Sequence, residues 1–166
     1  MTTAMPRRAA WLRRLVTNRV GLRALLWAKL PLAAFAGLRI RRLDEAGCEV
    51  LLPAGWKTQN PFRSTYFAAQ AMAAELSTGV PVLWLIEQSG APIASLVTGL
   101  AATFTKKATS QTAFLFAGGE ELKAAIARAA AGSAPVVFTA RSVGTQEDGT
   151  RVAEVEITWS FKRRGG

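Results

Sequence analysis

The chain has 166 residues, 50% of them apolar and 19% charged, enough for one globular domain with a real core and too apolar for a disordered tail. It contains no histidine and a single cysteine, Cys48, which removes histidine triads, histidine bases, histidine metal ligands, an intrachain disulfide and a Cys-rich zinc site. The net charge of +10 resides in residues 1–43, which carry ten basic residues and no acid, while eleven acids balance eleven basic residues beyond.

In that basic segment Trp11, Leu12, Leu15, Val16, Leu22, Leu25, Leu26 and Trp27 alternate with the arginines, a pattern that predicts one or two basic amphipathic helices broken near Gly21 and ending before Pro31. Three readings stand for it: docking on an anionic membrane or an acidic protein, a transit peptide, and a helix that caps the domain with its arginines solvated. Arg23 and Lys29 interrupt the apolar stretch and argue against a cleaved secretory signal. No stretch reaches the roughly 18 uncharged apolar residues of a membrane span. Tryptophans among arginines are compatible with nucleic-acid binding, but no base-reading motif is present.

Short apolar runs at 38–43 and 48–52 flank Asp44-Glu45-Ala46-Gly47 and read as a hairpin. Pro53, Gly55, Asn60 and Pro61 mark a loop. From Phe62 to about Thr78 the chain is rich in Ala, Met, Gln and Glu, and Gly79 with Pro81 predicts the end of that helix. Residues 82–88 read equally as more helix or as a strand. Strands are expected at 92–104 and 110–116, joined by a turn containing Lys106 and Lys107. A helix is expected at 120–131, a strand at 136–143, and a turn at Asp148-Gly149 leading into a final strand. In that last strand Ala153, Val155, Ile157, Trp159 and Phe161 share one face, and Val152, Glu154, Glu156, Thr158 and Ser160 the other. Such alternation implies an antiparallel sheet with one wet face. The order predicts an α+β domain with a sheet wrapped around one helix, whose alanines at 68, 69, 71, 73 and 74 let the sheet approach closely. Trp84, Phe104, Phe114, Phe116 and Phe138 are expected in the core, with some of them lining an acyl tunnel.

Glu75 is the one acid between Glu49 and Glu87, and it lies on a helix expected to be largely buried. A buried carboxylate is costly unless it is paired, protonated or working, and all three readings stand. Continuing the helix back to Ser64 places that hydroxyl within about 20° of Glu75, with Ala68 and Ala71 forming a shallow groove between them. Ser64 also reads as a helix cap, and Asn60 as a turn residue. Arg63, at the mouth of the helix, is a candidate for phosphate. Cys48 has no histidine to activate it as a nucleophile.

The run from Asn60 to Gly79, followed by the strand to Phe104 and the lysine turn, resembles the hot-dog-fold thioesterase superfamily. The likeness is greatest to uncharacterised bacterial members related to phenylacetyl-CoA thioesterase-like proteins. It covers roughly residues 30–163 and implies a single hot-dog domain over 30–166, an antiparallel sheet around a long central helix, preceded by an extra helical segment at 1–29. It further implies an acyl-CoA or acyl-carrier-protein thioesterase, a homodimer or dimer of dimers, and active sites at the subunit interface. Glu75 would be the helix carboxylate that activates water and Asn60 the polar group before the helix. The backbone amides near Thr65, Tyr66 and Phe67 would polarise the thioester carbonyl. Lys106 and Lys107 sit where such enzymes contact coenzyme A phosphates, although lysines in a turn are commonly just solvated. Coenzyme A would enter as part of the substrate, with no separate cofactor and no metal. The His-Gly-Gly signature of well-known members is replaced here by Ser64-Thr65-Tyr66, and the Asp and His pair of hydratases is missing. The alternative is a non-catalytic module that binds acyl thioesters. The expected location is the cytoplasm, with the basic segment able to hold the protein at the inner membrane.

Overall fold

The computed structural model describes residues 6–165. The basic segment forms α1 (Arg7–Thr17) and α2 (Arg19–Lys29), followed by a short α3 (Pro31–Ala36). The break lies at Asn18 rather than near Gly21. The Asn18 side-chain oxygen accepts hydrogen bonds from the amides of Val20 and Gly21, both at 3.0 Å, so this residue starts α2 as an N-cap. Gly21 lies within α2, where a Cβ would stand 2.8 Å from the Leu15 carbonyl oxygen, and so permits the close crossing with α1. Pro31 opens α3, where its missing N–H would have had no helical partner.

The expected hairpin is present as β1 (Arg39–Asp44) and β2 (Gly47–Leu52). The Asp44 carboxylate accepts from the amides of Ala46 and Gly47 at 3.0 and 3.2 Å. Gly47 has φ +155° and leaves no room for a side chain, since a Cβ would lie 1.9 Å from the Phe116 carbonyl oxygen.

The central helix, α4, runs Phe67–Ser89: it starts five residues later than Phe62 and passes straight through Gly79 and Pro81. Burial explains the continuation. Ser77 through Val82 are all buried, Trp84 is 1% exposed and Leu85 5%, so packing offsets the roughly 3 kcal/mol that proline costs a helix interior. Residues 82–88 therefore continue the helix. Among the described residues this is the one helix long and apolar enough to cross a membrane. However, 72% of its most apolar window is buried in the protein, which makes it a core helix.

The remaining elements are β3 (Ile93–Phe104), β4 (Thr112–Phe116), α5 (Gly119–Ala131), β5 (Val136–Gln146) and β6 (Arg151–Arg163). The six strands among the described residues pair antiparallel in the order β1-β2-β4-β5-β6-β3, and α4 packs against the inner face of the sheet. The α+β class and the wrapped central helix are as expected. In β6 the expected inner face, Ala153 to Phe161, is buried, but Val152 is buried too, although the alternation puts it on the wet face. There the loop after β3 folds back, with the Thr105 amide donating to the Val152 carbonyl. Trp84, Phe114 and Phe116 are core as expected; Phe138 is partly buried. Phe104 instead is exposed, edge-on to Phe67 with ring centroids 6.2 Å apart.

Candidate functional site

Two features of the sequence converge on one face of α4: its open N-terminus and Glu75. The Tyr66 side chain does not cap the helix. The amides of Thr65 and Tyr66 are already engaged, donating to the carbonyls of Ala108 and Thr58, each at 2.7 Å. The amides of Phe67 and Ala68, in the first turn, have no acceptor among the described residues, so the free donors lie slightly further along the chain than the sequence suggests. Phe67 and Ala68 are both exposed, which leaves these donors open to a ligand. At 100° per residue, Ala68, Ala71, Met72, Glu75 and Gly79 share one side of the helix. Glu75 lies about 10 Å along the axis from Ala68, with Ala71 and Met72 between them on the same side.

Ser64 does not belong to that face, because the helix begins after it. Its hydroxyl donates to the Asn60 side-chain oxygen at 3.2 Å, and the same oxygen accepts from the amides of Phe62 and Ser64 at 3.0 and 3.2 Å. Asn60 thus ties the loop before the helix into a tight turn, in which Arg63 adopts a left-handed conformation with φ 59°. Arg63, Ser64 and Thr65 line a hollow of about 260 Å³ with Ala108 and Thr109. Lys107 reaches toward this loop, its Nζ 3.5 Å from the Phe62 carbonyl. Lys106 faces elsewhere, within electrostatic reach of Asp148, whose carboxyl is held low chiefly by hydrogen bonds from Thr150. The structure therefore gathers Arg63, Ser64, Thr65 and Lys107 around the start of α4 and leaves Lys106 to one side.

Glu75 is half-buried, and burial pushes its carboxyl above the ordinary glutamate range. Among the described residues its carboxylate has neither an ion pair nor a hydrogen-bond donor. It opens into an apolar cavity of about 380 Å³, whose walls come from α4 (Leu76, Val80, Leu83), from α1 and α2 (Leu12, Leu25, Leu26) and from Trp159, with Lys29 also on the lining. Gly79 makes room for it: a Cβ there would lie 2.9 Å from Glu75 Oε1 and 3.5 Å from the Trp159 ring. The ring is fixed in turn, since Trp159 Nε1 donates to the Thr78 hydroxyl at 3.2 Å and that hydroxyl donates to the Glu75 carbonyl at 3.0 Å. Sequence reasoning missed Gly79, Trp159 and the leucine wall from the N-terminal helices. The i, i+4 spacing of Glu75 and Gly79 was a signal, but it reads first as a helix stop.

Cys48 is fully buried in β2, and its thiol is pushed up to about 12 by burial, which removes it as a nucleophile at neutral pH.

A family model described as "Domain of unknown function (DUF4442)" matches residues 18–161. No curated protein matches. Among solved structures, PA5026 from Pseudomonas aeruginosa, called a probable thioesterase, is 18% identical with a TM-score of 0.71, covering 90% of this chain and 99% of its own. The protein OLEI01261 from Chlorobaculum tepidum, of unknown function, is 12% identical with a TM-score of 0.75 over 90% and 98% of the two chains. Thioesterase HI1161 from Haemophilus influenzae is 14% identical with a TM-score of 0.61 over 90% and 95%. At these identities the likeness is one of fold, and the fold is the hot-dog.

Proposed function

The chain belongs to the DUF4442 family, and we propose that it hydrolyses acyl thioesters, with coenzyme A or an acyl carrier protein as the leaving group. One observation carries this reading: an unpartnered carboxylate with a raised pKa opens into an apolar cavity, on the same helix face as two free amides. The acyl chain occupies the cavity, and the thioester carbonyl accepts from the amides of Phe67 and Ala68, where the helix dipole favours developing negative charge. The Glu75 carboxylate rests against Gly79. Rotation of its side chain back along Ala71 carries it toward the carbonyl, with water held in the gap that remains. Glu75 takes a proton from that water as its oxygen attacks the carbonyl carbon. The tetrahedral oxyanion then collapses, the C–S bond breaks, and the departing thiolate takes the proton from Glu75. The products are a carboxylic acid and a free thiol. Arg63 and Lys107 suit the carrier's phosphates, with Lys106 a weaker candidate. Asn60 acts by shaping the turn that positions Arg63 and the start of α4, Ser64 and Thr65 line the hollow beside it, and Tyr66 leads into the helix.

The active form in this proposal is a homodimer. β3 is an edge strand of 12 residues with Leu96, Val97, Leu100 and Phe104 exposed, and its open edge suits pairing with a second copy of itself.

The test is release of free thiol from acyl-CoAs ranging from acetyl to long-chain and aryl. Turnover is expected, and Glu75→Gln is expected to lower kcat by about 10²–10⁴ with the fold intact. Saturable acyl-CoA binding without release would replace hydrolysis by an acyl-thioester-binding module, the reading favoured by a carboxylate that rests away from the amides.

A further inference from the structure

We propose that the outer face of α2 docks on an anionic lipid surface, a role separate from the reaction proposed above. The helix has two apolar faces. Leu22 and Leu26 are buried against the body of the protein, whereas Val20, Ala24 and Trp27 fall within about 60° of one another on the opposite side and face solvent. Val20 is 78% exposed and Trp27 51%, and the apolar surface continues past the helix at Leu32, which is 76% exposed. Solvation alone accounts for exposed arginines but not for a second apolar stripe with a tryptophan in it.

Charge selects the occupant. Arg19 and Arg23 border one edge of the stripe, and both are exposed. Residues 1–43 contain no acid, and none of the basic residues from Arg7 to Lys29 forms an ion pair among the described residues. On α1, Trp11 is 61% exposed and lies within about 60° of Arg7, Arg8 and Arg14 around that helix. Tryptophan between arginines suits the boundary of an anionic bilayer, where the ring sits at headgroup depth and the guanidinium groups meet phosphate. Each basic side chain at such a surface strengthens binding roughly fivefold. An acidic protein would answer the charge but has no equal use for a flat apolar stripe.

The experiment is flotation of the full-length chain with phosphatidylglycerol-containing vesicles and with pure phosphatidylcholine vesicles, at low and high salt, alongside Val20→Glu/Trp27→Glu and Arg19→Gln/Arg23→Gln. Binding is expected on the anionic vesicles alone, with a blue shift in tryptophan emission. It should fall more than tenfold in each double variant while thermal melting stays unchanged, and it should weaken with salt. The proposal is overturned if the parent chain does not float with anionic vesicles, or if it floats equally well after Val20→Glu/Trp27→Glu. It is also overturned if that variant converts a dimer to a monomer by light scattering, since a second copy would then cover the stripe.

Discussion

At Glu75 the energetics of folding and the chemistry of the site pull in opposite directions. Burial raises the folded-state pKa above the roughly 4.3 of an unfolded glutamate. The protonated form is therefore the one the fold prefers. Its contribution to stability is fully present below about pH 4.3 and is lost as pH rises through the raised folded value. Glu75→Gln is accordingly expected to melt higher than the parent at neutral pH, with the difference vanishing toward pH 4. Equal melting temperatures across that range would show that the carboxyl is not desolvated. A general base must be ionised, so the acid limb of kcat/KM is expected above the ordinary glutamate range and to disappear in the Gln variant. Gly79→Ala separates position from charge. The nearest atoms to the methyl group are the mobile end of the Glu75 side chain and the edge of Trp159, and alanine is a better helix former by about 1 kcal/mol. The variant is expected to melt no lower than the parent yet to lose about tenfold or more in turnover; unchanged turnover would mean that the resting place of the carboxylate is immaterial.

The elements show where local rules hold and where packing overrides them. Asn18 obeys the capping rule, with two amides on its side-chain oxygen, and Asn18→Ala is expected to cost about 1 kcal/mol, readable as a lower denaturant midpoint. The central helix breaks its local rule. Gly79 and Pro81 read as a stop, and in an isolated peptide they would be one. Here Val80, Val82, Trp84 and Leu85 all gain burial only if the helix carries on across the sheet. The start of the same helix errs the other way: Phe62 to Tyr66 look helical in composition, but Asn60 binds the amides of Phe62 and Ser64 and holds them in a turn. That shift removes Ser64 from the face of Glu75 and moves the free amides to Phe67 and Ala68.

Across the whole molecule the sheet has two open edges, and they are unequal. β1 is short, with Arg39, Arg41 and Arg42 exposed along it, a composition that discourages pairing. β3 is twice as long and carries Leu96, Leu100 and Phe104 in the open. A dimer through β3 would bring a second copy beside the exposed start of α4, where Phe67 already touches Phe104. Leu100→Glu sets like charges near one another across such a pairing and is expected to give a monomer by sedimentation, with turnover reduced. A parent chain that sediments as a monomer would discard the interface.

The six strands in their order, the antiparallel character of the sheet and the position of Glu75 on its central helix were legible in the sequence, because they rest on periodicities of 2 and 3.6 and on turn residues such as Asp44 and Gly149 that act within a few positions; the short helix at Pro31–Ala36 was not, and residues 82–88 read equally as helix or strand. The charge asymmetry that sets the N-terminal helices apart was legible too. Tertiary structure alone decided how far α4 extends, which amides at its start remain free, and that leucines from α1 and α2 close a cavity over Glu75. These depend on residues far apart in the chain, such as Leu12 and Glu75, which line one cavity, or Trp159 and Thr78, which share a hydrogen bond. No local pattern encodes such contacts; they form only when burial of the whole core outweighs the preferences of its segments.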